Sequence, residues 1–267
     1  MKLRLARRGD LDGPHDSDAE GGIGLSVLKH LDELRRRILY AAAGIAVGMV
    51  IAFGFITTIF DFVFRPIRDV LPAGSKLIYT EPGEAFSVYV QIALIAGVVL
   101  AAPFVMYQVW CLVAPVLSLQ HKKFVLPFVL LTTLGFVSGA LFNHYVVFRW
   151  MIKFFASFSS FNLTFMPRLD DVFGLYAKML FGMGLVFQMP ALVYFLAKLG
   201  LVSARFLLKH IKYAVLVIFV LAAVMTPTGD MTTQTLFALP MVGLYLISIA
   251  IAWLVAPVAR LGADGPA

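Results

Sequence analysis

Charged residues are scarce in this sequence of 267 residues: Asp, Glu, Lys and Arg make up 14% of it, against about 25% in soluble domains. Hydrophobic residues reach 61%, and the mean hydropathy is +0.90. A chain of this composition has too few polar side chains to cover a soluble core. The composition therefore excludes an ordinary soluble domain and predicts a polytopic membrane protein.

Several chemical signatures are missing as well. Cys111 is the single cysteine, which excludes an internal disulfide and a cysteine-only metal site, and we interpret it as a small apolar filler. The sequence has no G-x-x-x-x-G-K-[ST] phosphate loop, and it has no H-E-x-x-H or G-x-S-x-G motif within an apolar run. It also has no internal repeat of the kind found in many secondary transporters. No cofactor and no enzymatic activity are expected.

The apolar residues fall into six segments, and a span needs about 20 residues to cross a hydrocarbon core of about 30 Å. The segments run from about Ile38 to Phe64, Phe86 to Val113, Phe124 to Phe155, Val172 to Ala197, Tyr213 to Met225 and Leu236 to Pro257. The fifth holds only 13 residues, about 20 Å of helix, so we expect it to thin the bilayer locally. Prolines inside or at the ends of spans predict kinked helices: Pro103, Pro127, Pro190 and Pro240.

The ends of the chain complete the predicted organisation. The Arg7-Arg8 pair is followed by Gly9-Asp10 and not by an apolar core, so no cleavable signal peptide is visible and the first span must act as its own insertion signal. We predict a disordered cytoplasmic tail over 1–22, a six-helix transmembrane domain over 23–258, and a short cytoplasmic tail over 259–267.

Lysine and arginine set the expected orientation. With the N-terminus inside, the inner segments hold 15 of these residues and the outer segments hold six, while Lys178 lies within the fourth span. This asymmetry places both termini in the cytoplasm, in agreement with an even number of spans. The net charge of +7 comes from residues at helix ends and not from one basic face, which argues against nucleic-acid binding.

An amphipathic segment precedes the first span and contains the octet HLDELRRR, residues 30–37. Apolar residues at helical spacing give it a face that would lie on the membrane interface: Leu28, Leu31, Leu34 and Ile38. Glu33 stands four residues after Lys29 and four before Arg37, which permits an intrahelical ion pair. The alternative is that Glu33 receives an arginine from a ligand, because arginine–carboxylate pairs are directional. Spacing alone leaves both interpretations open.

Polar side chains within or beside the later spans also need partners. The Gln188 amide, deep in the fourth span, either forms an interhelical hydrogen bond within the chain or docks a partner helix. Lys178 can extend back to the outer surface. Asp170-Asp171 suit the start of the fourth span electrostatically, and Glu84 suits the start of the second.

Five motifs in register give this chain a family resemblance. HLDELRRR resembles the N-terminal signature of the TatC family, the multispan component of the twin-arginine protein translocase. The other motifs follow in the same order as in the family: Thr80 to Phe86; Pro103 with Tyr107-Gln108, Trp110 and Ala114-Pro115; Phe187 to Pro190; and Thr226-Pro227 through Asp230 with Gln234 and Pro240. The match extends over nearly the whole chain after residue 25.

The resemblance implies a receptor in the cytoplasmic membrane of a prokaryote, driven by a transmembrane gradient. Its implied partners are twin-arginine signal peptides of folded proteins, single-span TatA- and TatB-type proteins, the lipid bilayer, and further copies of the chain. The implied signal-peptide residues are Glu33, Asp32, His30, Arg35, Gln120 and His121. The implied docking residues are Gln188, Thr226 and Gln234, and the implied structural residues of the outer side are Pro66, Glu81, Glu84 and Asp230.

The sequence departs from the family pattern at two positions. His121 stands where the family usually has a glutamate, and neutral histidine cannot pair an arginine as a carboxylate does. Either Glu33 carries most of the recognition, or another acid such as Asp32 assists. Gln91 replaces the usual lysine early in the second span. The remaining alternatives are a small-solute transporter or channel, and, less favoured, an intramembrane hydrolase.

Overall fold

The computed structural model describes residues 17–71, 77–113, 125–159, 165–226 and 230–255, and side chains from residue 31 onward within these ranges. The described chain is helical, apart from one isolated β-bridge between Ile78 and Arg168. Its helices are α1 (Ser17–Gly54), α2 (Ile56–Arg68), α3 (Glu84–Val113), α4 (Val125–Phe142), α5 (Phe148–Ala156), α6 (Leu169–Val186), α7 (Met189–Lys198), α8 (Ala204–Lys209), α9 (Ile211–Met225) and α10 (Met231–Val255). The predicted all-α fold is confirmed.

Within the described residues, five stretches of helix are long and apolar enough to cross a membrane. They are Leu31–Gly54, Glu84–Leu112, Val125–Ala156, Leu169–Lys198 and Met231–Val255. α9 corresponds to the predicted short fifth span: its 15 residues make about 22 Å of helix, less than the thickness of a hydrocarbon core, so its crossing of the membrane stays a prediction. Local thinning of the bilayer beside α9 stays a prediction. The first helix, α1, begins at Ser17, which lies inside the segment 1–22 predicted as a disordered tail.

The spans are interrupted, but the prolines mark only one of the interruptions. α6 ends at Val186 and α7 begins at Met189, with Pro190 in its first turn, where a missing N–H costs little. α3 continues through Pro103, and α10 continues through Pro240. Two further irregularities have no proline. The first span breaks between α1 and α2 at Phe55, and a π-helical turn over Asn143–Val147 joins α4 to α5.

Glycines allow the first two spans to pack backbone against backbone. Gly44 and Gly48 lie one turn apart on α1, an arrangement that lets membrane helices approach closely. A Cβ on Gly48 would lie 2.6 Å from the carbonyl oxygen of Gly97 on α3, and a Cβ on Gly44 would strike the Phe104 ring. α1 and α3 accordingly form the most extensive helix pair of the described chain. This pairing fixes where the amphipathic segment of α1 leaves the bundle.

A second glycine pair joins α4 to α6. A Cβ on Gly139 would lie 2.7 Å from the carbonyl oxygen of Met183, and a Cβ on Gly184 would strike the Phe136 ring. Gly135, one turn before Gly139, faces the backbone of Phe187 in the break between α6 and α7. The close approach places the backbone of α4 beside Gln188.

Candidate functional site

At the predicted cytoplasmic end of the bundle, Arg37 connects α1 to α3. Its Nη2 lies 3.5 Å from Oε1 of Glu33, one turn earlier on α1, and its Nη1 donates to Oε1 of Gln108 on α3 at 3.2 Å. Gln108 is buried, whereas the side chain of Glu33 is 31% exposed. Glu33 therefore forms the expected intrahelical pair and still presents part of its carboxylate at the surface.

The neighbouring acid and bases lie on the same exposed surface. Asp32, Arg35 and Arg36 are exposed on α1, and none of them makes an ion pair with a side chain that the structure describes. The side chain of His30, and Gln120 and His121, lie outside the described residues. The structure thus brings together Glu33, Arg37 and Gln108, and it leaves the contribution of the first inner loop as a prediction.

Gln108 is the residue that the sequence reasoning missed. It was noted only as part of a motif, although it is an amide within an apolar segment, like Gln188. Such an amide must find a partner in a nonpolar environment, so the argument applied to Gln188 applies equally to it. Its partner, Arg37, lies 71 residues away in the sequence, and only the packing of α1 on α3 identifies it.

The amide of Gln188 is buried in the break between α6 and α7. Its Nε2 donates to the backbone carbonyl oxygens of Thr132 on α4 at 3.1 Å and of Gly184 on α6 at 3.2 Å. Both of these atoms are acceptors, which fixes the orientation of the amide because only its nitrogen can donate to them. Oε1 is buried and has no hydrogen-bond partner among the described residues. The expected interhelical hydrogen bond is therefore present, and Oε1 is an acceptor without a partner in the described chain.

The hairpin between α9 and α10 satisfies its polar groups locally. Thr226 Oγ1 donates to the carbonyl oxygen of Ala222 at 3.0 Å, and Gln234 Nε2 donates to that of Phe219 at 2.9 Å. Asp230 caps α10, because its carboxylate accepts from the backbone N–H and the hydroxyl of Thr233 at 2.8 and 2.6 Å. These contacts assign Asp230 a structural part, whereas docking through Thr226 and Gln234 stays a prediction.

At the opposite end of the bundle, four donors converge on the buried carboxylate of Glu84. Its Oε2 accepts from the backbone N–H of Thr80 at 2.8 Å, from that of Glu81 at 3.4 Å, and from Nη2 of Arg168 at 3.4 Å. Its Oε1 accepts from the backbone N–H of Asp170 at 3.1 Å. Glu84 therefore fastens the loop before α3 to the start of α6, which is more than the helix-end role expected for it.

The remaining residues predicted for the outer side have simpler surroundings. Pro66 is buried inside α2, and Glu81 is exposed in the turn before α3. Asp170 and Asp171 occupy the first turn of α6, as predicted. Lys178 is exposed on α6, so its extension toward the outer surface is sterically open and stays a prediction.

Replacing Glu84 by glutamine should lower the thermal stability of the purified protein by several degrees. The glutamine Nε2 would face N–H donors and leave at least one of them without an acceptor. The Tm in detergent, followed by tryptophan fluorescence, measures the effect. Glu81→Gln, at an exposed carboxylate three residues earlier, is the matched control and should leave the Tm unchanged. Equal Tm values for the two variants would contradict the assignment.

Comparison with known proteins identifies the family. A family profile described as "Sec-independent protein translocase protein (TatC)" matches residues 29–240. The chain belongs to the TatC family. The TatC protein of Koribacter versatilis is 41% identical over 237 residues, which cover 88% of this chain and 87% of that protein. The TatC protein of Desulforapulum autotrophicum is 40% identical over 221 residues, covering 83% of this chain and 82% of that protein.

A solved structure supports the same conclusion for the TatC fold. The crystal structure described as "Twin Arginine Translocase Receptor- TatC" superimposes with a TM-score of 0.74 at 32% identity, covering 85% of this chain and 99% of the solved one. Membership in the TatC family makes this chain a multi-pass membrane component of a Sec-independent protein translocase. The family assignment favours the translocase interpretation of the chain over the small-solute transporter.

Proposed function

We propose that this TatC-family protein is the receptor subunit of a twin-arginine translocase in the cytoplasmic membrane of a prokaryote. It binds the twin-arginine signal peptides of folded proteins at the cytoplasmic face, and it docks single-span TatA- and TatB-type partners for gradient-driven export. The observation that carries the proposal is the partly exposed carboxylate of Glu33, held at that end of the bundle by one long contact with Arg37.

The contact between Arg37 and Glu33 is one that an incoming arginine could replace. It is a single 3.5 Å contact at a partly exposed carboxylate, and such i,i+4 pairs contribute about 0.3–0.5 kcal/mol. A signal-peptide arginine can bind the same carboxylate through two parallel hydrogen bonds, which is a more directional contact. Arg37 keeps its bond to Gln108 during the exchange, so α1 remains attached to α3.

The second arginine of the signal peptide requires a second acceptor. The family's usual glutamate is replaced by His121, so we assign the assisting role to Asp32, which is exposed one residue before Glu33. His30, Arg35 and Gln120 flank the same predicted surface. In this proposal two adjacent carboxylates on α1 receive the arginine pair, and no residue acts as a catalyst.

The proposed receptor activity is tested by crosslinking a labelled signal peptide to the purified protein in detergent or vesicles. A peptide with two consecutive arginines should crosslink near α1, and the same peptide with both arginines replaced by lysines should compete poorly, because lysine cannot form the bidentate pair. Equal crosslinking of the two peptides would contradict recognition of the arginine pair.

Gln188 supports the proposed docking of a single-span partner. Its nitrogen is already bound within the chain, so Oε1, a buried acceptor, is the atom that a partner would bind once the break between α6 and α7 opens. A partner helix would therefore have to offer a hydrogen-bond donor, such as a hydroxyl group or an amide, and an ionised carboxylate would be rejected. In this proposal Thr226 and Gln234 lie along the same partner's path at the α9–α10 hairpin.

Replacing Gln188 by leucine should weaken co-purification with a TatA- or TatB-type partner by about threefold to twentyfold, the effect of losing one interhelical hydrogen bond of roughly 0.6–1.7 kcal/mol in a membrane. The measurement is the amount of tagged partner recovered with the protein in mild detergent. Gln91→Leu, at an exposed glutamine of α3, is the control for the same chemical change. Unchanged recovery with Gln188→Leu would show that the Gln188 amide bonds only within the chain and does not dock a partner.

A further inference from the structure

A narrow cavity lies between α2, α3, α4 and α6, in the half of the bundle that faces the predicted outer side. Its volume is about 240 Å³, it is partly open to the surroundings, and its walls are almost entirely aliphatic and aromatic. The wall on α3 extends from Ile92 to Leu100, about 12 Å along the helix axis at 1.5 Å per residue. Phe62, Leu100 and Leu141 line the cavity and are also exposed, so its opening faces the lipid.

The two polar side chains in the wall, His144 and Tyr176, contact each other. His144 Nδ1 lies 3.3 Å from the hydroxyl of Tyr176, and the Phe62 ring stacks on the imidazole at a centroid distance of 4.0 Å. A buried water needs two to four polar partners, and this cavity offers few. An apolar cavity of this kind stays dry and is filled by an apolar ligand when one is at hand.

Size decides between the apolar ligands that a membrane offers. A partner helix is about 10 Å across with its side chains and needs a broad groove, which a cavity of about 240 Å³ does not provide. An extended hydrocarbon chain fits a narrow space that runs along the helix axes. The bilayer supplies such chains at high concentration and in this orientation.

A cation stands beside the cavity at its predicted outer end. Arg65 follows Phe62, which lines the cavity, by about one turn of α2. It is exposed, and it makes no ion pair with a side chain of the described chain. Its neighbours differ: Arg68 pairs with Asp61 at 3.0 Å, and Arg149 pairs with Asp69 at 3.5 Å.

We propose that this cavity is a binding site for one anionic phospholipid of the outer leaflet, with an acyl chain between α2, α3, α4 and α6 and the phosphate at Arg65. The hydrocarbon chain restores the packing contacts that an empty cavity would lack. Because lipid tails are as apolar as the cavity wall, the chain alone gives little selectivity, and the headgroup contact supplies it.

The wild-type protein in vesicles tests the acyl chain directly. Phosphatidylglycerol with a photoreactive diazirine midway along one chain should form adducts on Ile92 and Ile95, which are buried and line the cavity. Leu94, exposed on the same helix, reports general contact with lipid. Adducts on Leu94 with none on Ile92 or Ile95 would overturn the proposal.

Two variants test the contributions of the acyl chain and of the lipid headgroup separately. Ala96→Leu fills the cavity and should reduce the adducts on Ile92 and Ile95 to background, while Ala43→Leu, at an exposed alanine of α1, should not. Arg65→Gln should lower the preference for phosphatidylglycerol over phosphatidylcholine by about fivefold, the effect of one interfacial cation.

Lys153→Gln removes another exposed cation of the same side and is the control for charge alone; it should leave the preference unchanged. An unchanged adduct pattern in Ala96→Leu would overturn the proposed site. So would a preference for phosphatidylglycerol that depends equally on Lys153 and Arg65. The wild-type labelling does not depend on either variant being folded. None of these outcomes depends on a signal peptide, so they are distinct from the test of the receptor proposal.

Discussion

Replacing Glu33 by alanine is expected to weaken binding of a twin-arginine signal peptide by at least about tenfold, since a lost hydrogen bond between an arginine and a carboxylate contributes about 1.5–3 kcal/mol. Glu33→Lys should weaken binding further, because the introduced cation repels the arginine pair. The protein itself should stay folded. The substitution removes only a 3.5 Å contact to Arg37, which remains bonded to the buried Gln108.

The measurement is the crosslinking yield of a labelled signal peptide to the purified variant, together with its elution profile in size-exclusion chromatography. Asp61→Ala is the matched control, since it removes an exposed carboxylate that also pairs with an arginine, Arg68, but lies on α2 toward the opposite end. Undiminished crosslinking to Glu33→Ala would refute the assignment. A loss in both variants would show that the effect is not specific to α1.

The second large effect is expected at the contact between α1 and α3. Gly48→Ala should destabilise the purified protein by about 1–3 kcal/mol, the usual cost of overpacking. The new Cβ would lie 2.6 Å from the carbonyl oxygen of Gly97, and a backbone atom cannot rotate out of the way as a side chain can. The two helices would have to separate, which would also move Arg37 away from Gln108.

Gly54→Ala, near the end of the same helix, is the control. A Cβ there meets nothing within 4 Å, so the substitution should be neutral or slightly stabilising, since alanine favours helix over glycine by up to about 1 kcal/mol. The Tm in detergent compares the two variants. A Gly48→Ala protein as stable as Gly54→Ala would show that α1 and α3 do not pack at this distance.

Arg37 shows why part of the site could not be predicted. The spacing of Glu33 and Arg37 on one helix is local information, and it permits the pairing that the structure shows without excluding ligand binding. The contact of Arg37 with Gln108 depends on how closely α1 approaches α3. Gly48 and Gly97 set that distance. Because the spacing within α1 contains no information about it, the contact of Arg37 with Gln108 could not be predicted.

Glu84 and Gln188 illustrate the same limit. Sequence position suggested that Glu84 stands at a helix start, but one of its donors is the backbone of Asp170, 86 residues away. Gln188 was expected either to bond within the chain or to dock a partner. The structure shows that its nitrogen bonds within the chain and its oxygen remains unpaired, a division that depends on the geometry of Thr132 and Gly184.

Composition and spacing were enough to predict a membrane protein of helical class, and the motifs were enough to predict its family; six spans stay a prediction, of which five are long enough to cross a membrane in the described chain. These properties follow from composition and short-range spacing, because a bilayer requires about 20 apolar residues for each helix and satisfied backbone groups throughout. The pairing of polar atoms, the interruptions of the spans and the apolar cavity between α2, α3, α4 and α6 became visible only in the folded structure. Those features depend on contacts between helices far apart in the sequence, and such contacts are set by the packing of the whole bundle.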